Sequence, residues 1–366
     1  MRSTFEALAT EIGELRAFVD SITPVNKALA GHHDSLVRHY LLIRRRFDYA
    51  AFIVALYASF ETFLENLVEA YARLVAGRML YSELPVKLAQ KHMTKSAEIL
   101  ARGRLGEGRY VGVRDVDVVK NLHDCLTGAS PYSLNGVAIV AHDMNLRHDE
   151  VNALFSVVGI DKICDRVRGA DAMLSWYSSS QALIEPMSRG VPSATVEQRI
   201  NDVVERRNQV AHRGGTPLEL LGTDEMLDTV AFIASLSESI FTLVVAKYLE
   251  TYHVASGHGM ALQLREGPYK NGRVVVVNPP DRRVYVGQPI FAVMDSTGAR
   301  WGRILSLQVD DAPLEAIEAA SGVTSIGIGL DFIYPRGATL YALEADDDAV
   351  WQVAPASAED GQRSDH

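Results

Sequence analysis

The chain has 366 residues, 48% of them hydrophobic and 22% charged, which is enough for two domains with sizeable cores and excludes a disordered polypeptide. Its 36 Lys and Arg against 46 Asp and Glu give a formal net charge of −10, which excludes a broad basic nucleic-acid surface and leaves any such contact to local clusters. The two cysteines, Cys125 and Cys164, lack metal-ligand spacing and suit reduced, half-buried thiols of a cytoplasmic protein.

The N-terminal sequence Met1-Arg-Ser-Thr-Phe-Glu-Ala-Leu8 is acidic within six residues and already helix-periodic, so no signal peptide is expected. A first amphipathic helix is predicted from Phe5 to Ile22, stopping near Pro24. From His33 to Ala76 there is no Gly or Pro, and Phe52, Ile53, Leu56, Phe60, Phe63, Leu64, Leu67, Tyr71 and Leu74 keep helical spacing. This predicts one very long helix, or two broken near Arg46. The apolar stretch from Tyr49 to Phe60 is stopped by Glu61 and Glu65, too short for a membrane span. Further helices are predicted over Pro85–Leu100, Asp149–Val158, Asp171–Met187, Val196–His212 and Asp224–His253, with an irregular insertion over about 103–145 serving as lid or interface loop.

Past about Ser256 the pattern changes to short strand-like runs: Val274–Val277, Val284–Val286, Pro289–Met294, Arg303–Val309, Ser325–Leu330, Leu340–Leu343 and Val350–Val353, separated by Gly, Pro and Asp. The fold class is therefore α+β in two domains: an all-α helical bundle over 1–253 and a small all-β, barrel-like domain over 258–354. Asp346 to Asp348 are expected to be solvated, and residues 355–366 to form a flexible acidic tail. The acidity is shared unevenly, with 27 basic against 31 acidic side chains over 1–255 and 9 against 15 over 256–366.

The string Glu205-Arg-Arg-Asn-Gln-Val-Ala-His-Arg-Gly-Gly215 carries the chemistry. On a helical wheel Val196, Ile200, Val203, Val204, Val210 and Ala211 form one apolar stripe with Arg207 in its middle. Asn208 and His212, four apart, share the bordering face. A guanidinium facing a core costs several kcal/mol unless it is paired or lines a wet cleft. Gly214-Gly215 and Pro217 end the helix and leave His212 beside free carbonyls, which favours its protonated form. The plain alternative is a helix C-terminus with a capping His and an ion-paired Arg. Glu61 either pairs with Arg207 or marks, with Glu65, the solvent edge of its helix. Arg206 and Arg213 either grip phosphate or solvate the helix end, and Arg44 to Arg46 read as a solvated or interhelical face. Trp176, Tyr177 and Tyr132 suit packing better than base stacking. The 11 histidines, including His142, His148, His253 and His258, form no helical pair with a carboxylate between them, so neither a metal nor a cofactor is expected.

An Arg-Asn-x-x-x-His string ending a helix of an all-helical domain resembles the HEPN superfamily (higher eukaryotes and prokaryotes nucleotide-binding). The stretches Ala58-Ser-Phe-Glu-Thr-Phe-Leu64 and Asn145-Leu-Arg-His-Asp-Glu-Val-Asn-Ala-Leu-Phe-Ser-Val-Val-Gly-Ile160 look like its RiboL-PSP-HEPN or MAE-type subgroup. The resemblance implies a metal-independent endoribonuclease, frequently a toxin or antiphage effector, acting as a homodimer that meets through the motif helices. It implies catalytic roles for Arg207, Asn208 and His212, with Arg206, Arg213 and Glu61 as weaker substrate contacts and RNA, tRNA included, as partner. The alternatives are a non-catalytic HEPN module that binds RNA or nucleotide or scaffolds a complex, and an interaction protein in which the string is only a cap. In the β domain, Ile326-Gly-Ile-Gly-Leu-Asp331 followed by Pro335-Arg-Gly-Ala-Thr-Leu-Tyr341 loosely resembles the closing strands of a translation-factor-type barrel, which implies either a module that docks tRNA, a protein partner or an inhibitor or a plain stabilising one.

Overall fold

The computed structural model describes residues 1–102, 105–182, 190–212, 219–294, 298–319 and 322–351. It is an α+β chain: helices up to residue 254, then a nearly closed antiparallel sheet. Two compact units divide within one helix, between Phe241 and Thr242.

The helical unit is organised around α2 (Ser35–Ala76), a single unbroken helix of 42 residues. The Asp34 carboxylate caps it, accepting from the Leu36 N–H at 2.7 Å. From Tyr49 onward α2 buries Phe52, Ile53, Leu56, Phe60, Phe63, Leu64 and Leu67, the side chains whose spacing predicted the helix. Its first turns differ: Leu36, Tyr40, Ile43 and Phe47 form an exposed row at alternating spacings of four and three. Helix α1 (Arg2–Leu29) runs through Pro24 instead of stopping there. The carbonyl that Pro24 leaves without an N–H donor is that of Asp20, an exposed residue that water can serve. Phe5 of α1 stacks on Phe241 at 4.6 Å and meets Phe63 edge-on at 6.3 Å.

The stretch expected to be an irregular insertion contains two helices. After α3 (Val86–Arg102) come α4 (Asp115–Thr127), stopped by Gly128 in the left-handed region, and the short α5 (Gly136–Ile139). A buried polar network ties these three together. Asn135 donates to Ser96 Oγ (2.9 Å) and the Val118 carbonyl (3.2 Å), receives from Asn121 (2.9 Å), and gives its backbone N–H to His92 Nε2 (2.9 Å). Burial pushes the His92 imidazole down to about 4. Gly136 lies against α2, where a Cβ would overlap the Glu69 carboxylate. Helices α6 (His148–Ser156), α7 (Ile163–Arg166), α8 (Asp171–Ser180), α9 (Ser193–His212) and α10 (Thr223–Leu249, continued by a π-helical turn over Glu250–Val254) complete the α region. By length and composition α2 and α10 could each cross a membrane, but 50% and 78% of their apolar windows are buried, the pattern of core helices.

Among the described residues the second unit holds ten strands, in chain order β1 (Met260–Leu262), β2 (Leu264–Tyr269), β3 (Val274–Val277), β4 (Val284–Tyr285), β5 (Pro289–Met294), β6 (Gly298–Val309), β7 (Ala312–Leu314), β8 (Ala316–Ile317), β9 (Ile326–Leu330) and β10 (Thr339–Ala342). The main sheet runs β1-β10-β5-β6-β9-β3-β2. Its end strands are separated in the chain by Gln263 alone, so the sheet curls back on itself. The long β6 makes the bend: its first half pairs with β5 as far as Arg303, its second half with β9 from Ile304. Val275, Val277, Ile290, Ile304, Leu307, Ile328 and Leu340 fill the interior. The strand expected at Val350 is instead a turn in which Val350 and Trp351 are buried. Of the three aspartates expected to be solvated, Asp348 is exposed but two are engaged: Asp346 holds Arg303 bidentately (2.9 and 2.7 Å), and Asp347 accepts from Tyr248 (2.6 Å) and His253 (2.8 Å). Burial raises the Asp347 carboxyl, but those donors outweigh it and hold the group at about 2. Asp346 and Asp347 each found a donor from an element distant in sequence, which local charge patterning does not show.

Candidate active site

Helix α9 packs on α2 and α6. Its first half is core: Val196, Ile200, Val203 and Val204 are at most 2% exposed. Beyond Glu205 the stripe opens, Val210 being half-buried and Ala211 exposed. Arg207 therefore sits where the stripe leaves the core. It lines a cleft of about 650 Å3 together with Glu61, His142, Asn145, Arg147 and Asn201.

The segment 142–148, which joins α5 to α6, forms the opposite wall and is pinned to both long helices. Asn201, Glu205 and Asn208, spaced four and three apart on one face of α9, hold the His148 N–H (3.1 Å), the Arg147 guanidinium (3.0 Å) and the Asn145 amide (2.8 Å) respectively. On the α2 side, the Leu146 N–H donates to Tyr57 Oη (2.9 Å), which donates to Glu61 Oε1 (2.8 Å). Tyr57 is buried. Burial, with the Glu61 carboxylate, drives its phenol well above its ordinary value against the pull of Leu146 and Arg207.

Arg207 lies over the Tyr57 ring, 5.4 Å from its centroid, and donates to Asn208 Oδ1 at 3.2 Å, the same oxygen that receives the Asn145 amide. Among the described residues no carboxylate lies within ion-pairing distance of it. Glu61 faces the same cleft but holds Tyr57 and approaches His142 Nε2 (3.8 Å) instead. His142 Nε2 lies 2.7 Å from Glu65 Oε1, and its Nδ1 lies 2.6 Å from the Met144 carbonyl. Counting Asp143, Asp149 and Glu150, four carboxylates face two guanidiniums in the cleft.

The sequence-predicted residues divide. Arg207, Asn208 and Glu61 come together. Arg206, one residue from Arg207, turns to a different cleft beside Trp176 and Asp228, pairing with Asp202 (2.7 Å) and reaching Tyr49 Oη (3.4 Å). His212 closes α9, but its side chain, like Arg213 and the Gly214-Gly215 stop, lies outside the described residues. Trp176 is packed, 7% exposed, with its indole N–H on Asp228 (3.0 Å). Arg44 is buried on Asp48 (2.7 Å) and not solvated. Both thiols are fully buried instead of half-buried, and burial pushes Cys125 up to about 11 and Cys164 to about 12, so neither is a nucleophile. Tyr57, Glu65, His142, Asn145 and Arg147 escaped sequence reasoning. The four-residue spacing of Glu61 and Glu65 was the one local signal available.

The family model described as RiboL-PSP-HEPN matches residues 7–246. The chain belongs to this HEPN family. Membership makes the helical unit a HEPN-type nuclease or RNA-related module, and the match spans α9 and every wall of the cleft. Searched against curated proteins, the sequence finds no match. Among solved structures, the C-terminal domain of a putative U32 peptidase from Geobacillus thermoleovorans is similar over 24% of this chain and 93% of that domain, at 13% identity and a TM-score of 0.19, a likeness too low to carry an argument.

Proposed function

We propose that this HEPN protein is an endoribonuclease whose chemistry needs no metal: a ribose 2′-hydroxyl attacks the adjacent phosphorus, the 5′-oxygen leaves, and the products carry a 2′,3′-cyclic phosphate and a free 5′-hydroxyl. The observation that carries this reading is the state of Arg207. It is a half-buried guanidinium held by a ring face and an amide oxygen, with its fork open to a cleft. Such a fork suits two equatorial oxygens of a pentacoordinate phosphorus and cannot lose its proton. Asn208, fixed from both sides through its Oδ1, keeps its amide N–H groups for a phosphate oxygen or the imidazole. His212, in the last turn of α9, is the group of the string that titrates near neutrality and acts as general acid or base. One imidazole cannot do both at once, so a second copy supplies the other, the two chains meeting where the stripe of α9 opens at Val210 and Ala211. A toxin or antiphage role is what the family suggests, with tRNA as a natural target and the barrel as docking module for target or inhibitor.

A second reading, a HEPN module that binds RNA or scaffolds a complex without cutting, is favoured by the surplus of carboxylates in the cleft. The two separate on one experiment. The full chain is incubated with total tRNA in EDTA at saturating RNA, beside His212→Ala, and the ends are analysed. Cyclic phosphate ends that disappear in the variant support the nuclease. Retained cleavage by His212→Ala removes the catalytic assignment, and RNA binding without cleavage by the wild type leaves the second reading.

A further inference from the structure

We propose that Glu61, Glu65 and His142 form a binding site for a divalent transition-metal ion, of the Mn2+ or Zn2+ type, at the side of the Arg207 cleft that Glu61 and His142 line. Glu61 and Glu65, one helical turn apart on α2, present their carboxylates on one face, and His142 arrives from the segment after α5. One ligand atom from each of the three lies within 4.8 Å of the others. The two separations from His142 Nε2, 2.7 Å to Glu65 and 3.8 Å to Glu61, bracket the roughly 3.0–3.4 Å that bonds of ~2.1 Å to one ion impose on neighbouring ligands. Small side-chain movements bring all three into a coordination shell, and the open cleft leaves the remaining positions to water or ligand.

The imidazole supplies an independent argument. Its Nδ1 lies 2.6 Å from the Met144 carbonyl and its Nε2 lies 2.7 Å from a carboxylate oxygen, so both ring nitrogens face acceptors. A neutral imidazole has one N–H. With that proton on Nδ1, Nε2 turns its lone pair towards the Glu65 carboxylate, and a positive charge between the two, a second proton or a metal ion, makes the contact favourable. A backbone carbonyl orienting a histidine whose other nitrogen faces carboxylates is the outer-shell pattern of metal-ligating histidines. The Glu61 carboxylate has its own outer-shell partner in the Tyr57 hydroxyl at 2.8 Å. The three side chains are 27%, 20% and 11% exposed for Glu61, Glu65 and His142, sheltered yet reachable from the cleft. Two carboxylates balance a 2+ charge, and the nitrogen donor selects a borderline transition ion over Mg2+ or Ca2+.

The consequence for the cleft is electrostatic. An ion here offsets the Glu61 carboxylate that lines the cleft and the Glu65 carboxylate beside it, while taking no part in bond breaking. The site stands on the geometry of the helical unit and holds whether or not the chain cuts RNA, so its test uses no RNA. The full chain is stripped with EDTA, moved to metal-free buffer, and titrated calorimetrically with Mn2+ and with Zn2+. One ion per chain is expected to bind. Glu65→Gln and His142→Gln lower the affinity at least ~100-fold, and Tyr57→Phe lowers it ~10-fold through the outer shell, each variant being checked for an unchanged circular dichroism spectrum. Absence of uptake of either ion by the wild type overturns the proposal, as does equal affinity in folded Glu65→Gln and His142→Gln. If a variant fails to fold, wild-type stoichiometry and Tyr57→Phe decide. An imidazole of His142 found doubly protonated at neutral pH in the presence of excess Mn2+ and Zn2+ also overturns it, since a proton then fills the place of the ion.

Discussion

Arg207 in the helical unit and Arg303 in the barrel are both partly buried guanidiniums with opposite surroundings. Arg303 is saturated by a bidentate grip on Asp346 and a bond to the Gly287 carbonyl at 2.9 Å. Arg207 rests on the face of Tyr57 and one shared amide oxygen, its charge left facing a cleft. The barrel treats its other polar groups the same way as Arg303: Gln288 accepts from the Tyr285 N–H (3.1 Å) and donates to the Leu343 carbonyl (2.9 Å), and Trp351 donates to Gly302 (2.8 Å). Charge whose bonds are complete contributes to folding, whereas charge left open at a cleft costs stability that binding can recover.

The largest effect expected from this contrast is on activity. Arg207→Ala should lower RNA cleavage by about 10³-fold, the range for removing a transition-state charge contact, while melting within a degree or two of the wild type. A large fall in the melting point would make Arg207 structural and erase the contrast. Next comes acid. His92 has its folded-state pKa lowered from 6.5 to about 4, so between those values the unfolded chain binds the proton first. Its contribution is intact above about pH 6.5 and is lost as the pH falls towards 4, on the order of 3 kcal/mol. Asp347, lowered from 3.8 to about 2, adds a loss that begins below about pH 3.8. Urea unfolding at pH 7, 5.5 and 4 measures the first step, and His92→Gln should flatten it. Arg303→Ala should then cost about 2 kcal/mol, by stranding Asp346, and leave cleavage per folded molecule unchanged. The smallest effect is Asn145→Ala, which removes one of the bonds fixing Asn208 at about 1 kcal/mol and should slow cleavage ~5-fold with little change in RNA affinity.

Sequence pattern revealed what repeats along the chain. Phe52 to Leu67 gave α2 its period, Val196 to Val204 gave α9 its buried stripe, and Pro289–Met294 and Val274–Val277 appeared as strands with the bounds observed. What it missed depends on partners far apart. Glu65 meets His142 across 77 residues and Tyr57 meets Leu146 across 89, and no periodicity encodes such a meeting. Asp347 looked solvated because its sequence neighbours Ala345, Asp346, Asp348 and Ala349 are acidic or small, while Tyr248 and His253 arrive from another element. In α4 the apolar residues Val118, Leu122 and Cys125 keep helical spacing, but only Val118 and Cys125 are buried, and the run of glycines before it outweighed so short a pattern. Arg207, by contrast, was legible because a charge interrupting an apolar stripe is a local contradiction.

In the proposed reading, what the cleft would offer to RNA above all else is the open fork of Arg207. Arg207→Lys tests this most directly, since lysine keeps the charge and loses the planar pair of donors. A fall in tRNA cleavage of at least ~100-fold at an unchanged melting point is the predicted result. Cleavage by Arg207→Lys at the wild-type rate would contradict it.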